Sequence, residues 1–125
     1  MTQAVIYEQT GGPEVLRAAE LEMPTPDAGQ VVVRVQAAGI NPFDAKVFGG
    51  IIPSDAPFPR RIGSDLAGTV VAVGEGAEYW NGTPVAVGDE VLGSAAGAVA
   101  EHAVTPGNQL MLRPAQLSVE VAGSL

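Results

Sequence analysis

At 125 residues the chain is one ordinary domain with room for one modest core, and 46% hydrophobic against 16% charged residues is a globular composition, not a disordered one. Fourteen acidic against six basic residues give a net charge of −8, and Arg60-Arg61 is the only adjacent basic pair, which argues against nucleic acid as a partner. With no cysteine and one histidine, disulfides, thiolate catalysis and cysteine-containing zinc sites are excluded. No run approaches the ~20 apolar residues of a membrane span, and the N-terminus shows no signal-peptide pattern. A cytoplasmic, soluble domain without a membrane partner is expected.

Strand signals dominate. Val5-Ile6-Tyr7 is a β-branched and aromatic run closed by the turn residues Thr10-Gly11-Gly12-Pro13, and Val15 to Met23 can pair back on it. Two prolines make Pro24 to Gly29 a loop. Gln30 to Ala37 is the clearest strand, with Val31, Val33 and Val35 facing one way and Val32, Arg34 and Gln36 the other. Pro42 to Phe48 is predicted as one or two turns of helix, capped by Asn41 and opened by Pro42. Ala67 to Val73 is a second strong strand, ending at Gly74-Glu75-Gly76. Tyr79 to Pro84 reads as a surface hairpin tip around Asn81-Gly82. Val85 to Leu92 reads as a strand pair about Val87-Gly88-Asp89-Glu90, with shorter strands at Val99 to Val104 and Gln109 to Leu112. A second helix begins at Ser118, with Glu120 near its start. Many short strands with Gly/Pro turns predict a mainly β barrel or sandwich.

A dinucleotide-binding turn is absent: Gly74-Glu75-Gly76 starts the pattern, but Tyr79 stands where the third glycine belongs and no helix follows. The chemistry-bearing segment is Ala38 to Lys46, which follows the best strand and sets an amide, a carboxylate and an ammonium within about two helical turns. Asn41 can donate and accept, Asp44 can orient a partner, and Lys46 can give a proton or positive charge to a developing enolate. On the residues alone the simpler reading of the three is helix cap, first-turn charge and solvated lysine. Arg60 and Arg61 read as solvated loop charges with phosphate attraction as the alternative, and His102 as structural. Ile51-Ile52 reads as an exposed apolar pair that can line a substrate mouth.

Several segments taken in order carry a resemblance. They are Gly11 to Leu16, Pro24-Thr25-Pro26, Val31 to Val35, Ala37 to Asp44, Gly63 to Gly68, Val71 to Gly74, Val87 to Val91 and Gly97 to His102. Together, over Gln3 to Leu125, they resemble the N-terminal GroES-like catalytic part of the medium-chain dehydrogenase/reductase superfamily, in its zinc-free quinone oxidoreductase branch. The resemblance implies a mainly β fold, a GroES-like partly open β-barrel with one or two short helices. It also implies NADPH-dependent reduction of a quinone or an α,β-unsaturated carbonyl without a metal. Zinc enzymes of that superfamily carry Cys where Asn41 stands and a His-Glu pair where Ser64-Asp65 stands.

By the same resemblance Lys46 and Asp44 are the catalytic residues, Lys46 acting on the enolate. Asn41 and Asp44 contact the cofactor, and Asn41, Phe43 and Ile51 contact the substrate. Residues 1–125 are then one catalytic domain, whose expected partner is an NADPH-binding Rossmann domain absent from the 125 residues, within a homo-oligomeric enzyme. Alone, the chain is expected to be inactive, with an apolar face around Ile40, Phe43, Ile51 and Ile52. A stand-alone GroES-like interaction module without catalysis fits the same features.

Overall fold

Chain order sets the elements as β1 (Thr2–Tyr7), β2 (Arg17–Leu21), β3 (Gln30–Gly39), α1 (Pro42–Phe48), β4 (Arg60–Arg61), β5 (Asp65–Val73), β6 (Glu90–Ser94), β7 (His102–Pro106) and β8 (Leu110–Leu112). The computed structural model describes residues 1–51, 57–114, 116–119 and 121, with the backbone alone at positions 42 and 43. Ile52 and Glu120 therefore lie outside the described residues, as does the side chain of Phe43.

The strands form two open antiparallel sheets, ordered β2-β1-β4 and β7-β3-β5-β6-β8. No pairing among the described residues closes either sheet. They are stitched along one side, where the segment entering β7 runs beside β1: Val5 N donates to Val99 O at 3.1 Å and Glu101 N to Gln3 O at 2.8 Å. The predicted partly open, mainly β architecture is what forms.

β3 is the spine of the larger sheet, flanked by β5 and β7. Val31 and Val33 enter the main core with Leu66, Val70, Val91 and Leu110. Val32 is equally buried, at 1% exposure, so simple alternation fails at this end of the strand because its opposite face is covered as well. Two register shifts against β5, between Val32 and Val33 and between Val35 and Ala37, bend the strand along its length. β5 lies so close to it that a Cβ on Gly68 would stand 2.1 Å from the Arg34 carbonyl oxygen.

Three expectations are corrected. Val85 to Leu92 is not a strand pair: the strand starts at Glu90, and Ala86 to Asp89 is a turn. The Asp89 carboxylate accepts from Ala86 N at 3.0 Å and so holds the turn, which meets β5 at Val70 through Gly88 N to Val70 O at 2.8 Å and Val70 N to Asp89 O at 2.9 Å. The strand expected from Val99 begins at His102, since Val99 and Glu101 bond to the β1 backbone instead. Arg60 and Arg61 are not loop charges; they form β4 and pair with Tyr7 and Ile6. The hairpin tip at residues 79–84 does form, with Tyr79 N on Thr83 O at 2.9 Å and Trp80 72% exposed.

Candidate functional site

The site grows from one register position. Gly39, the last residue of β3, faces Asp65, the first residue of β5. Asn41 follows two residues later and so arrives beside Ser64 and Asp65. Its Nδ2 donates to Asp65 Oδ2 at 2.7 Å and to Ser64 Oγ at 3.3 Å. Asp44, at the third position of α1, accepts the Asn41 backbone N–H through Oδ2 at 2.8 Å, and the Asn41 side chain meets the Asp44 backbone in return. This capping box fixes the start of the helix. Asp44 is 8% exposed. One hydrogen-bonded chain thus joins Asp44, Asn41, Ser64 and Asp65.

The helix is seated on aromatic contacts. Phe48 packs edge-on against Tyr7 at 6.1 Å between ring centroids, and Tyr7 meets Phe58 the same way at 6.0 Å. Arg60 lies over the Phe58 ring at 4.1 Å. Between α1, β4 and the turn at residues 95–98 run two recesses of about 230 and 350 Å³. Both are walled by Tyr7, Val47, Arg61 and Gly97; the first reaches Asp44 and Ser64, the second Pro57 and Pro59.

Arg61 anchors that wall. Its Nη2 donates to Gly97 O at 2.9 Å and to His102 O at 3.1 Å. Burial holds its pKa below the ordinary arginine value. Gly97 has φ +75°, and a Cβ there would stand 2.7 Å from Arg61 Nε, so both backbone and guanidinium require glycine.

A larger recess of about 570 Å³ lies near Gln30, Tyr79, Trp80 and Asn108. Gln30 begins β3 and Asn41 follows its end, so a ten-residue strand, about 30 Å, separates that recess from the hydrogen-bonded chain.

Of the residues expected from the sequence, Asn41 and Asp44 are brought together. Lys46 is not among them: it is exposed, about 200° around the helix from buried Asp44. Ile51 is 76% exposed just past the helix, its N–H on the Lys46 carbonyl at 2.9 Å, and Ile40 is 60% exposed. His102 is structural: Nδ1 is hydrogen-bonded to Thr2 Oγ1 at 2.9 Å and its carbonyl serves Arg61. Ser64 and Asp65 as partners of Asn41, and Arg61 as a cleft wall, were not expected. Among the described residues no three His, Asp or Glu side chains gather as a metal site.

Residues 27–115 match the alcohol dehydrogenase GroES-like domain. The chain belongs to that family. It is 31% identical to the chloroplastic quinone-oxidoreductase homolog of Spinacia oleracea, over 92% of this chain and 35% of that protein. It is 30% identical to the quinone oxidoreductase of Homo sapiens, over all of this chain and 37% of that protein. In structure it matches Escherichia coli quinone oxidoreductase complexed with NADPH, with TM-score 0.88 and 29% identity, over 97% of this chain and 36% of that one. The chain therefore spans a little over a third of the length of these proteins. Its fold is the GroES-like portion of the medium-chain dehydrogenase/reductase fold.

Proposed function

We propose that this chain is the catalytic-domain portion of a cytoplasmic, NADPH-dependent oxidoreductase that reduces quinones or α,β-unsaturated carbonyls without zinc. The observation that carries the reading is the bond from Asn41 Nδ2 to Asp65 Oδ2 at 2.7 Å. Asn41, Ser64 and Asp65 are the positions where the resemblance sets Cys and a His-Glu pair in zinc enzymes. Here an amide nitrogen bearing hydrogens and no free lone pair faces a hydroxyl and a carboxylate. That set satisfies itself by hydrogen bonding and offers poor zinc ligands. No described helix is long and apolar enough to cross a membrane.

The residues present fit one end of the cofactor. Asn41 and Asp44 give a rigid polar edge for a nicotinamide, while the described strand pairs are all antiparallel and no Gly-rich strand-to-helix turn exists in the sequence. We assign the pyrophosphate to a dinucleotide-binding domain outside the 125 residues, in a homo-oligomeric enzyme. The nicotinamide, when bound, supplies the hydride. Lys46 supplies positive charge or a proton to the enolate oxygen from the exposed face of α1, and Phe43 and Ile51 are the substrate contacts the resemblance implies. The cleft between α1 and β4 receives the rest of the substrate.

The test uses the complete protein that carries this chain, with NADPH and either 1,4-benzoquinone or a simple enone. Turnover is expected to persist in EDTA, with zinc below stoichiometric content. Lys46→Met is expected to lower kcat about ten- to a thousand-fold while changing stability by about 0.5 kcal/mol or less. Loss of activity in EDTA, or one zinc per chain, overturns the metal-free assignment; unchanged kcat in Lys46→Met removes that residue from the chemistry.

A further inference from the structure

A guanidinium carries five N–H donors and keeps its charge at ordinary pH, so its surroundings must balance both. Those of Arg61 do not. Nη2 is used on the Gly97 and His102 carbonyls, and Nε is buried with no partner. The remaining nitrogen, Nη1, is bonded by no described residue and is not one of the buried unpartnered atoms, so its N–H groups are open. The ion pairs among the described residues are Arg17–Glu8 and Arg113–Glu90, and neither reaches Arg61. Asp44 shares the recess, but its Oδ2 is engaged by the Asn41 N–H and it forms no ion pair with Arg61. Among the described residues, a half-buried cation that forms no ion pair therefore walls both recesses.

Such a group favours an anionic oxygen over a neutral one. Charge-assisted hydrogen bonds are about twice as strong as neutral ones, and the guanidinium has already lost part of its water. In a chain of net charge −8 few places attract an anion, and Arg60 lines the second recess beside Arg61, so positive charge gathers at this wall. Recesses of about 230 and 350 Å³ suit a ligand of one ring.

We propose that Arg61 is a substrate-positioning residue that seats a carboxylate, so that the cleft takes a quinone or enone bearing an acidic group. The anionic end meets Nη1, and the ring lies along the recess wall that Val47 of α1 shares with Arg61. This rests on the oxidoreductase reading for the identity of the ligand, but the charge preference is tested without cofactor or turnover.

Benzoate and its neutral counterpart benzamide are titrated into the protein and followed by 1H–15N NMR of backbone amides and the Arg61 Nε–Hε signal. Benzoate is expected to shift Arg61 Nε–Hε and the Gly97 amide, with benzamide at least ten-fold weaker. The preference is lost in Arg61→Gln and partly kept in Arg61→Lys. Equal response to the two ligands, shifts centred away from the cleft, or a preference surviving in Arg61→Gln overturns the proposal. Inorganic phosphate binding ten-fold tighter than benzoate also overturns it, by making the wall a phosphate seat. If Arg61→Gln does not fold, the wild-type Nε–Hε response to benzoate against benzamide decides. Because no NADPH is present, failure here and failure of turnover are separate results.

Discussion

Replacing Asn41 by Asp tests the hydrogen-bonded chain at its centre. Aspartate caps a helix as well as asparagine does, so the helix start is preserved and only the amide donors are lost. The new carboxylate would then stand against Asp65 Oδ2, where the amide nitrogen now sits at 2.7 Å. At an effective dielectric of about 20, two charges 4 Å apart repel by about 4 kcal/mol, a figure we halve because both residues are partly exposed. The lost charge-assisted bond adds about 1.5–3 kcal/mol. A deficit of about 4 kcal/mol near neutral pH follows, or about 15 °C in Tm for a domain of this size. Repulsion raises the folded-state pKa of the paired carboxyls, so the penalty is small in acid, where one is protonated and can donate to the other. It grows as pH rises through that value. Urea denaturation of Asn41→Asp and wild type from about pH 4 to pH 8 measures this. A deficit independent of pH, or none at all, would refute the Asn41–Asp65 contact as the organising interaction.

Gly68→Ala sets a Cβ 2.1 Å from the Arg34 carbonyl oxygen in the middle of the β3–β5 ladder. It is expected to lower stability by about 2 kcal/mol or more in thermal unfolding, and a neutral result would mean the two strands separate without cost. Burial, with the bond to Asp89, raises the Tyr79 phenol above its ordinary pKa. The folded chain then keeps a proton that the unfolded chain releases above about pH 10, so this contribution is present below that pH and is lost as pH rises further. Tyr79→Phe should cost about 1 kcal/mol at pH 8, and the gap should narrow by pH 11 in denaturant titrations; a constant gap would refute the assignment.

Much of the fold is legible because local rules agree with tertiary ones. Asn41-Pro42 before a short apolar segment defines α1 from Pro42 to Phe48, with both ends as expected. Val31 to Val35 marks β3, although periodicity alone does not reveal that Val32 is covered too. Asp89 misleads because its side chain competes for backbone N–H groups that the apolar pattern assigns to a strand. Arg61 misleads because a guanidinium next to prolines reads as solvated, whereas the carbonyls that hold it come from residues 36 and 41 positions away. In the site, Asn41 and Asp44 are visible as a helix start. Their link to Ser64 and Asp65 depends on the β3–β5 register, which sequence spacing does not encode. The outward face of Lys46 follows from a two-residue step on a helix once Asp44 is known to be buried.

The stitch between β1 and the segment entering β7 has a consequence for how the molecule is made. Thr2 and His102 bond across 100 positions, and Val5 reaches Val99. Loop closure over that span must precede the contacts that reward it, which gives the domain a high contact order and slow folding. The first strand can pair with β2 and β4 as these emerge, and Tyr7 can meet Phe48 once α1 is made, but the smaller sheet is fixed to the larger one only after the segment near Val99 has left the ribosome. The Gly97 and His102 carbonyls that anchor Arg61 arrive at the same late stage. A nascent chain halted before residue 97 would therefore hold Asn41, Asp44 and Asp65 without the contacts that complete the cleft wall.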